Sequence, residues 1–311
     1  MSSNKPVEVV SVGHILKEQV IYPEKEIGPV LGSPAAYSAV ASSRLGVNTG
    51  IMTKVGENMP KDLLQVFGEA GVNQEGLRQL EGEKTTVNQL IYNEAGEKHL
   101  NFLQKAPDLL PKDRPKSYQK AKLFYVCPID FEVPLRTVEK LDGLGGDLMV
   151  DLGGYGGATS STHQMGDSKK LEDLKQLISQ FDIVKISLED SRLIFGKDKQ
   201  NLPNEVAERF LQWGADISLI TLGEKGGLVV TLDEKENVPS YTDSPKDQTG
   251  AGDTFGAGFI AEYLNDKSPV ESTHFASATA SLVIEESGGV RAERMPRYEE
   301  VKKRLSSRAQ I

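Results

Sequence analysis

The 311-residue chain has one cysteine, Cys127, so an internal disulfide framework and any cysteine-based zinc cluster are excluded. It has no hydrophobic run approaching the roughly 20 residues that a membrane-spanning helix needs. Met1–Pro6 is polar, and the first apolar run, Val7–Val12, is too short for the core of a secretory signal. The expected address is therefore the cytoplasm. Positive charge is in deficit: 36 Lys and Arg against 45 Asp and Glu give a formal net charge of −9. Such a chain repels phosphate backbones and anionic lipid, which argues against nucleic-acid and membrane-surface partners. Neither GxxxxGKS nor GxxxxGKT occurs, so there is no P-loop. His99, His163 and His274 are scattered singletons, and no His, Asp and Glu spacing outlines a metal cage. Repeats and low-complexity tracts are also missing.

What is present reads as one large α/β domain, or a core with an appendage. Strand-like apolar runs fall at 7–13, 49–56, 122–129, 147–154, 181–187, 217–223 and 227–232. Helical patterns lie between them at 34–45, 60–70, about 131–142, 168–180, 203–213, 252–265 and 270–286. This alternation predicts βαβ units and a parallel sheet covered by helices on both faces. Two stretches, 15–31 and 84–105, break the rhythm with strands and hairpins, and the second carries a turn at NEAGE, 93–97. They either pair as a small separate sheet that forms a lid, or stand as two unrelated surface hairpins. The basic, polar 302–310 reads as a solvated helix end.

The sharpest segment is DQTGAGDTFGAGF, 247–259. Gly250, Ala251 and Gly252 are small and open a helix at Asp253. A helix N-terminus presents unpaired N–H groups and a partial positive charge, and small residues let an anion approach them. A carboxylate there could take a proton from an attacking hydroxyl while the N–H groups stabilise phosphoryl charge. The plainer alternative is a glycine-rich loop with an ordinary Asp cap. His14 and Asp151 end strands where α/β ligands bind, although a loop-capping Asp is a close alternative for Asp151. GLGGD, 143–147, precedes a strand and so does not match a dinucleotide fingerprint.

DQTGAGDTFGAGF resembles the C-terminal signature of the ribokinase-like, phosphofructokinase-B-type carbohydrate kinases. Residues 32–56 resemble that family's N-terminal signature, TLGEKGG (221–227) its nucleotide-site turn, and GGVRAERMP (288–296) its closing loop. The resemblance spans nearly the whole chain. It implies a Rossmann-type three-layer core with a mainly parallel sheet and a small β-sheet lid. The core would be 1–14, 32–83 and 106–311, and the lid 15–31 and 84–105. It also implies ATP-dependent phosphoryl transfer to a hydroxyl of a small polyol, with Mg²⁺ arriving on ATP. Asp253 would be the base, and the N–H groups of Gly250, Ala251, Gly252 and Asp253 the anion hole. Thr221, Gly223 and Gly226 would cradle ATP, and Lys225 could meet a phosphate. Asp247, Thr249 and Gly289 match positions that hold a monovalent cation, such as K⁺, in many members.

Departures from the family pattern shape the remaining expectations. Ser187 and Asp190 replace an Asn-x-x-Glu pair that organises Mg²⁺ and its waters. The acceptor pocket would draw on His14, Glu18, Gly32, Asn101 and Asp151. Leu31 replaces one glycine of a pair, and Ala36 replaces an asparagine that grips ribose, which disfavours ribose. GHILKE, the Ala36-Tyr37 pair and DLGGY are similar to a subgroup that includes inositol kinases, although Gly153, Gly156 and Gly157 depart from it. A sugar or cyclitol is the expected acceptor. The alternatives are a nucleoside, with Tyr22 or Tyr37 against the base, and a non-catalytic binding protein on the same fold. A vitamin kinase on this fold would more often carry a cysteine in the anion loop, and this one has none. Exposed lid edges would allow a homodimer.

Overall fold

The computed structural model describes residues 6–92, 94, 98–161, 168–196, 202–242 and 244–308. Thirteen strands are present among them: β1 Val9–Val12, β2 Leu16–Tyr22, β3 Lys25–Gly32, β4 Thr49–Gly56, β5 Asn73–Leu80, β6 Thr86–Tyr92, β7 Lys98–Gln104, β8 Leu123–Val126, β9 Asp147–Asp151, β10 Ile183–Ser187, β11 Ile217–Thr221, β12 Gly227–Val230 and β13 Lys235–Val238. The helices are α1 Pro34–Arg44, α2 Lys61–Ala70, α3 Leu135–Asp142, α4 Ser168–Ile178, α5 Leu188–Phe195, α6 Leu202–Gln212, α7 Ala251–Tyr263, α8 Pro269–Ile284 and α9 Tyr298–Arg308. None is long and apolar enough to cross a membrane.

The large sheet has nine strands in the order β13-β12-β11-β10-β9-β8-β1-β4-β5. All its pairings are parallel except those of β12, which runs against both neighbours. Successive residues of its central strands point to opposite faces. Val10, Val12, Phe124, Val126, Leu148, Val150, Val184 and Ile186 meet α3, α4, α5 and α6 on one side. Val9, Leu123, Tyr125, Met149 and Ile183 meet α7, α8 and α9 on the other. Two buried faces explain why these strands read as unbroken apolar runs.

The two excursions form one four-stranded sheet, β3-β2-β6-β7. Its centre is a parallel pairing of β2 with β6, Leu16 opposite Thr86, and its flanks are antiparallel. The turn expected at 93–97 lies outside the described residues except for Glu94.

Other differences have local causes. The helix expected from 131 begins at Leu135 because Pro134 bars a helical conformation at Val133. The strand expected to 154 stops at Asp151, whose carboxylate accepts from the Gly153 N–H and turns the chain. Helix α5 follows β10 directly, with Ser187 as its cap accepting from the Asp190 N–H. β5 and β13 were not anticipated because they are polar edge strands, NQEGLRQL and KENV.

Helix α7 is buried from Thr254 to Glu262. A helix interior disfavours glycine by about 1 kcal/mol relative to alanine. Here the glycines permit close approach: Gly256 lies against the Tyr125 hydroxyl, and a Cβ on Gly258 would stand 2.9 Å from the Ala276 Cα of α8. Gly258→Val should therefore lower the unfolding free energy by about 2 kcal/mol, as overpacking of a close contact does. Chemical denaturation measures this, and an unchanged midpoint would show that α7 and α8 separate freely there.

Candidate active site

The order of the large sheet reverses at β1, which lies between β4 and β8. The crevice outside the carboxyl ends of the strands at such a point is where α/β folds take ligands. Into this crevice comes the N-terminus of α7. Gly250 is its cap, in the left-handed region with φ 81°, and no side chain caps the end. A Cβ at Gly250 would stand 2.4 Å from a Tyr37 ring carbon, so both conformation and space demand glycine. Asp253 sits in the first turn and is partly exposed.

Beneath this turn is Lys185, which the sequence reading missed. Its strand, β10, aims it at the α7 face of the sheet. The residue is 2 % exposed, and its Nζ donates to Asp151 Oδ2 at 2.6 Å. The same Nζ is 3.3 Å from where a Cβ on Gly252 would stand. Burial works against the ammonium charge, yet the carboxylates of Asp151, Asp253 and Asp190 outweigh it and hold the Lys185 pKa above its ordinary value. The visible signal was a lysine inside the apolar run FDIVKIS. Burial and the Asp151 and Asp253 carboxylates push the neighbouring Tyr125 phenol well up, and burial keeps the Cys127 thiol protonated.

Asp151 itself is 7 % exposed, its oxygens taken by Lys185 and the Gly153 N–H. Asp190 is also turned inward. Its Oδ1 accepts from the Ala158 N–H at 2.7 Å and its Oδ2 from the Ser187 hydroxyl at 2.5 Å. Burial raises its pKa against these hydrogen bonds. A Cβ on Gly157 would collide with this carboxylate, which explains a glycine there. Among the described residues no group of three or more His, Cys, Asp or Glu could hold a metal ion.

The turn after β11 closes with the Leu222 N–H donating to the Gly226 carbonyl, and uses positive φ at Gly223 and Gly226. Thr221 ends the strand and Lys225 is exposed. Gly227, next in the chain, abuts the Phe255 ring, so this turn is seated on α7.

On the small sheet, Asn88 donates to Glu18 Oε2 at 3.0 Å, next to Gly32. Asn88 is 3 % exposed and its Oδ1 is buried with no hydrogen-bond partner. Asn101 occupies the opposite face, donating to Gln89, which donates to Gln19. The structure therefore separates Asn101 from Glu18, because neighbouring strand positions alternate in facing.

His14 lies at the end of β1 but is 1 % exposed, and both ring nitrogens are engaged. The Pro107 carbonyl can only accept, so Nε2–H donates to it at 3.1 Å. Nδ1 of the neutral ring then accepts from the Thr86 hydroxyl, whose oxygen accepts from the Ala106 N–H. The ring clasps β1 to β6 and to the segment after β7. Its main-chain N–H donates to buried Glu132, which also accepts from the Ile129 and Asp130 N–H groups.

Asp247 accepts from the Thr249 and Gly288 N–H groups, both at 3.0 Å. Arg294, wholly buried, donates to the carbonyls of Asp247, Thr249, Gly288 and Gly289. Nothing in the RAERMP segment marks Arg294 in advance. The cluster of Asp247, Thr249 and Gly289 does not fit the monovalent ion expected there, because its carbonyls already surround a cation.

A family model described as pfkB family carbohydrate kinase matches residues 8–294. A cytidine kinase of Thermococcus kodakarensis is 27 % identical over 288 residues, covering 91 % of this chain and 98 % of that one. The structure of Arabidopsis thaliana ribokinase complexed with ribose and ATP superposes with a TM-score of 0.78 at 19 % identity, covering 97 % and 99 % of the two chains. A pyrophosphate-dependent kinase of the ribokinase family, complexed with a pyrophosphate analog and myo-inositol, gives 0.72 at 20 % identity over 92 % and 98 %.

Burial, partly offset by Glu132, lowers the His14 pKa below its ordinary 6.5. The unfolded chain then binds the extra proton first, so stability falls as pH drops below about 6.5, by at most ~1.4 kcal/mol per pH unit for one such group. His14→Gln should flatten this part of the profile in denaturation between pH 7 and 5. An identical slope in the variant would remove His14 as its source.

Proposed function

Because the chain belongs to the pfkB family of carbohydrate kinases, we propose that it transfers the γ-phosphoryl group of ATP to a hydroxyl of a small sugar or cyclitol. The observation that carries this reading is Asp253 on the bare N-terminus of α7, directly above the buried Lys185. Asp253 takes the proton of the attacking hydroxyl. The N–H groups of Gly250, Ala251, Gly252 and Asp253 receive the charge that develops on the phosphoryl oxygens, and Lys185 adds to that field from below. Catalysis of this kind is positioning and charge stabilisation. Bound Mg²⁺ would supply charge neutralisation on the phosphates; Asp190, the residue expected near its waters, is buried and accepts from the Ser187 hydroxyl and the Ala158 N–H. Thr221, Gly223, Lys225 and Gly226 line the nucleotide end. Glu18 and the unpartnered Oδ1 of Asn88 are set to meet acceptor hydroxyls beside Gly32.

We take the small sheet, 15–31 and 84–105, as the lid over that acceptor and the remainder as the core. Its outer strands β3 and β7, with Ile27 and Leu103 exposed, support pairing of two chains through their lids. A nucleoside acceptor is the second reading, favoured by the cytidine kinase matched over 98 % of its length. Tyr37 is not available to a base in that case, because its ring is buried against Gly250.

ADP release with Mg·ATP against sugars, cyclitols and nucleosides should give a hit in the first two classes; a response to nucleosides alone would select the second reading. Asp253→Asn should lower that turnover on the order of 100-fold or more with little change in melting temperature. Near-wild-type turnover would exclude Asp253 as the base. Light scattering should show a dimer at working concentration, and a monomer would remove the lid pairing.

A further inference from the structure

The loop that leads into α7 is held by an interior arginine. Arg294 has no exposed side-chain surface. Its Nη2 donates to the Asp247 and Thr249 carbonyls at 3.2 and 3.1 Å and stands 3.7 Å from the Asp247 carboxylate. Its Nη1 donates to the Gly288 carbonyl and to the Tyr37 hydroxyl at 3.1 Å. Its Nε donates to the Val283 and Glu286 carbonyls at 3.2 and 3.1 Å. Converging carbonyl dipoles and a carboxylate make a site that needs a cation, and a planar guanidinium with five donors can serve many of them at once.

The partners divide between two segments. One runs straight into Gly250 and the N–H groups at the head of α7. The other is the end of α8 and the turn after it. Tyr37 joins them to α1, and its ring packs on Gly250. The guanidinium therefore fixes the direction in which the anion-hole N–H groups point, without touching anything bound there.

We propose that the Arg294 guanidinium is the resident cation of this loop, holding the anion hole in place so that the chain needs no added monovalent ion. Arg294 is a positioning residue. Its effect on turnover rests on the kinase reading above; its occupation of the carbonyl ring does not.

The experiment has two arms. The first is melting without substrates in chlorides of K⁺, Na⁺ and tetramethylammonium at equal ionic strength. Wild type should melt alike in all three. Arg294→Ala should melt lower and be raised by millimolar guanidinium or by K⁺, and not by tetramethylammonium. The second arm is ADP formation. Wild-type turnover should ignore K⁺, whereas Arg294→Ala should lose on the order of 100-fold in kcat, as a small misplacement of catalytic groups does, with less change in KM. Guanidinium or K⁺ should restore part of the variant's kcat, and Arg294→Lys should keep part of it unaided. A K⁺-specific rise in wild-type melting or turnover overturns the proposal. So does an Arg294→Ala protein with full turnover, or one that no cation rescues in either arm. If Arg294→Ala does not fold, the wild-type ion series and Arg294→Lys decide. If wild type turns over no acceptor, the kinase reading falls and the melting arm alone decides this one.

Discussion

A helix whose N-terminus must stay bare can be anchored only by its body, and the rest of the structure follows from that constraint on α7. No side chain caps its first turn, which leaves its N–H groups open to an anion. Anchoring comes from burial of Thr254 through Glu262, from Phe255 and Phe259 in the core, and from glycines that bring Tyr125 and α8 within contact. The same small residues that weaken an isolated helix let this one sit deep in a shell of others. Tyr37, packed on Gly250, and Arg294, bonded to the Tyr37 hydroxyl and to the Asp247 and Thr249 carbonyls, lie together on the loop that enters the helix.

Charge is arranged around that end in layers. Two buried cations, Lys185 and Arg294, flank a helix terminus that is itself partly positive, and each is matched by carboxylate or carbonyl oxygens. A buried charge is tolerated only when paired and hydrogen-bonded. The Asp151 oxygens serve that pairing, which is why a residue placed at the crevice from its strand position is nine-tenths covered. His14 is a similar case: a strand-end residue engaged in joining the two sheets.

The central architecture was legible because strands covered on both faces must be apolar throughout, and each such run is bounded by helix-length amphipathic sequence. That a helix starts within 247–253 was legible because small residues followed by a carboxylate mark a helix N-terminus. The edge strands β5 and β13 were not, since half-exposed strands need no apolar run. Whether the two excursions paired could not be read either, because their contact joins residues about seventy positions apart, Leu16 with Thr86. The facing of Asn101 depends on strand register, and register is set by partners. Arg294 acts through main-chain carbonyls, which any sequence supplies, so only the folded chain reveals what it binds.

The make-up of the small sheet bears on how the molecule assembles. Its two central strands come from separate excursions, and each excursion alone is no more than a hairpin, which is marginal in water. Their parallel pairing can form only after β1, α1 and β4 have brought the two stems side by side, since closing so long a loop is unfavourable until other contacts compensate. The small sheet thus depends on stems that pack into the core, with Ile15 and Leu31 buried beside α1 and β4 residues. By the same reasoning it is the region that can detach and re-form as a unit while the nine-stranded sheet stays intact.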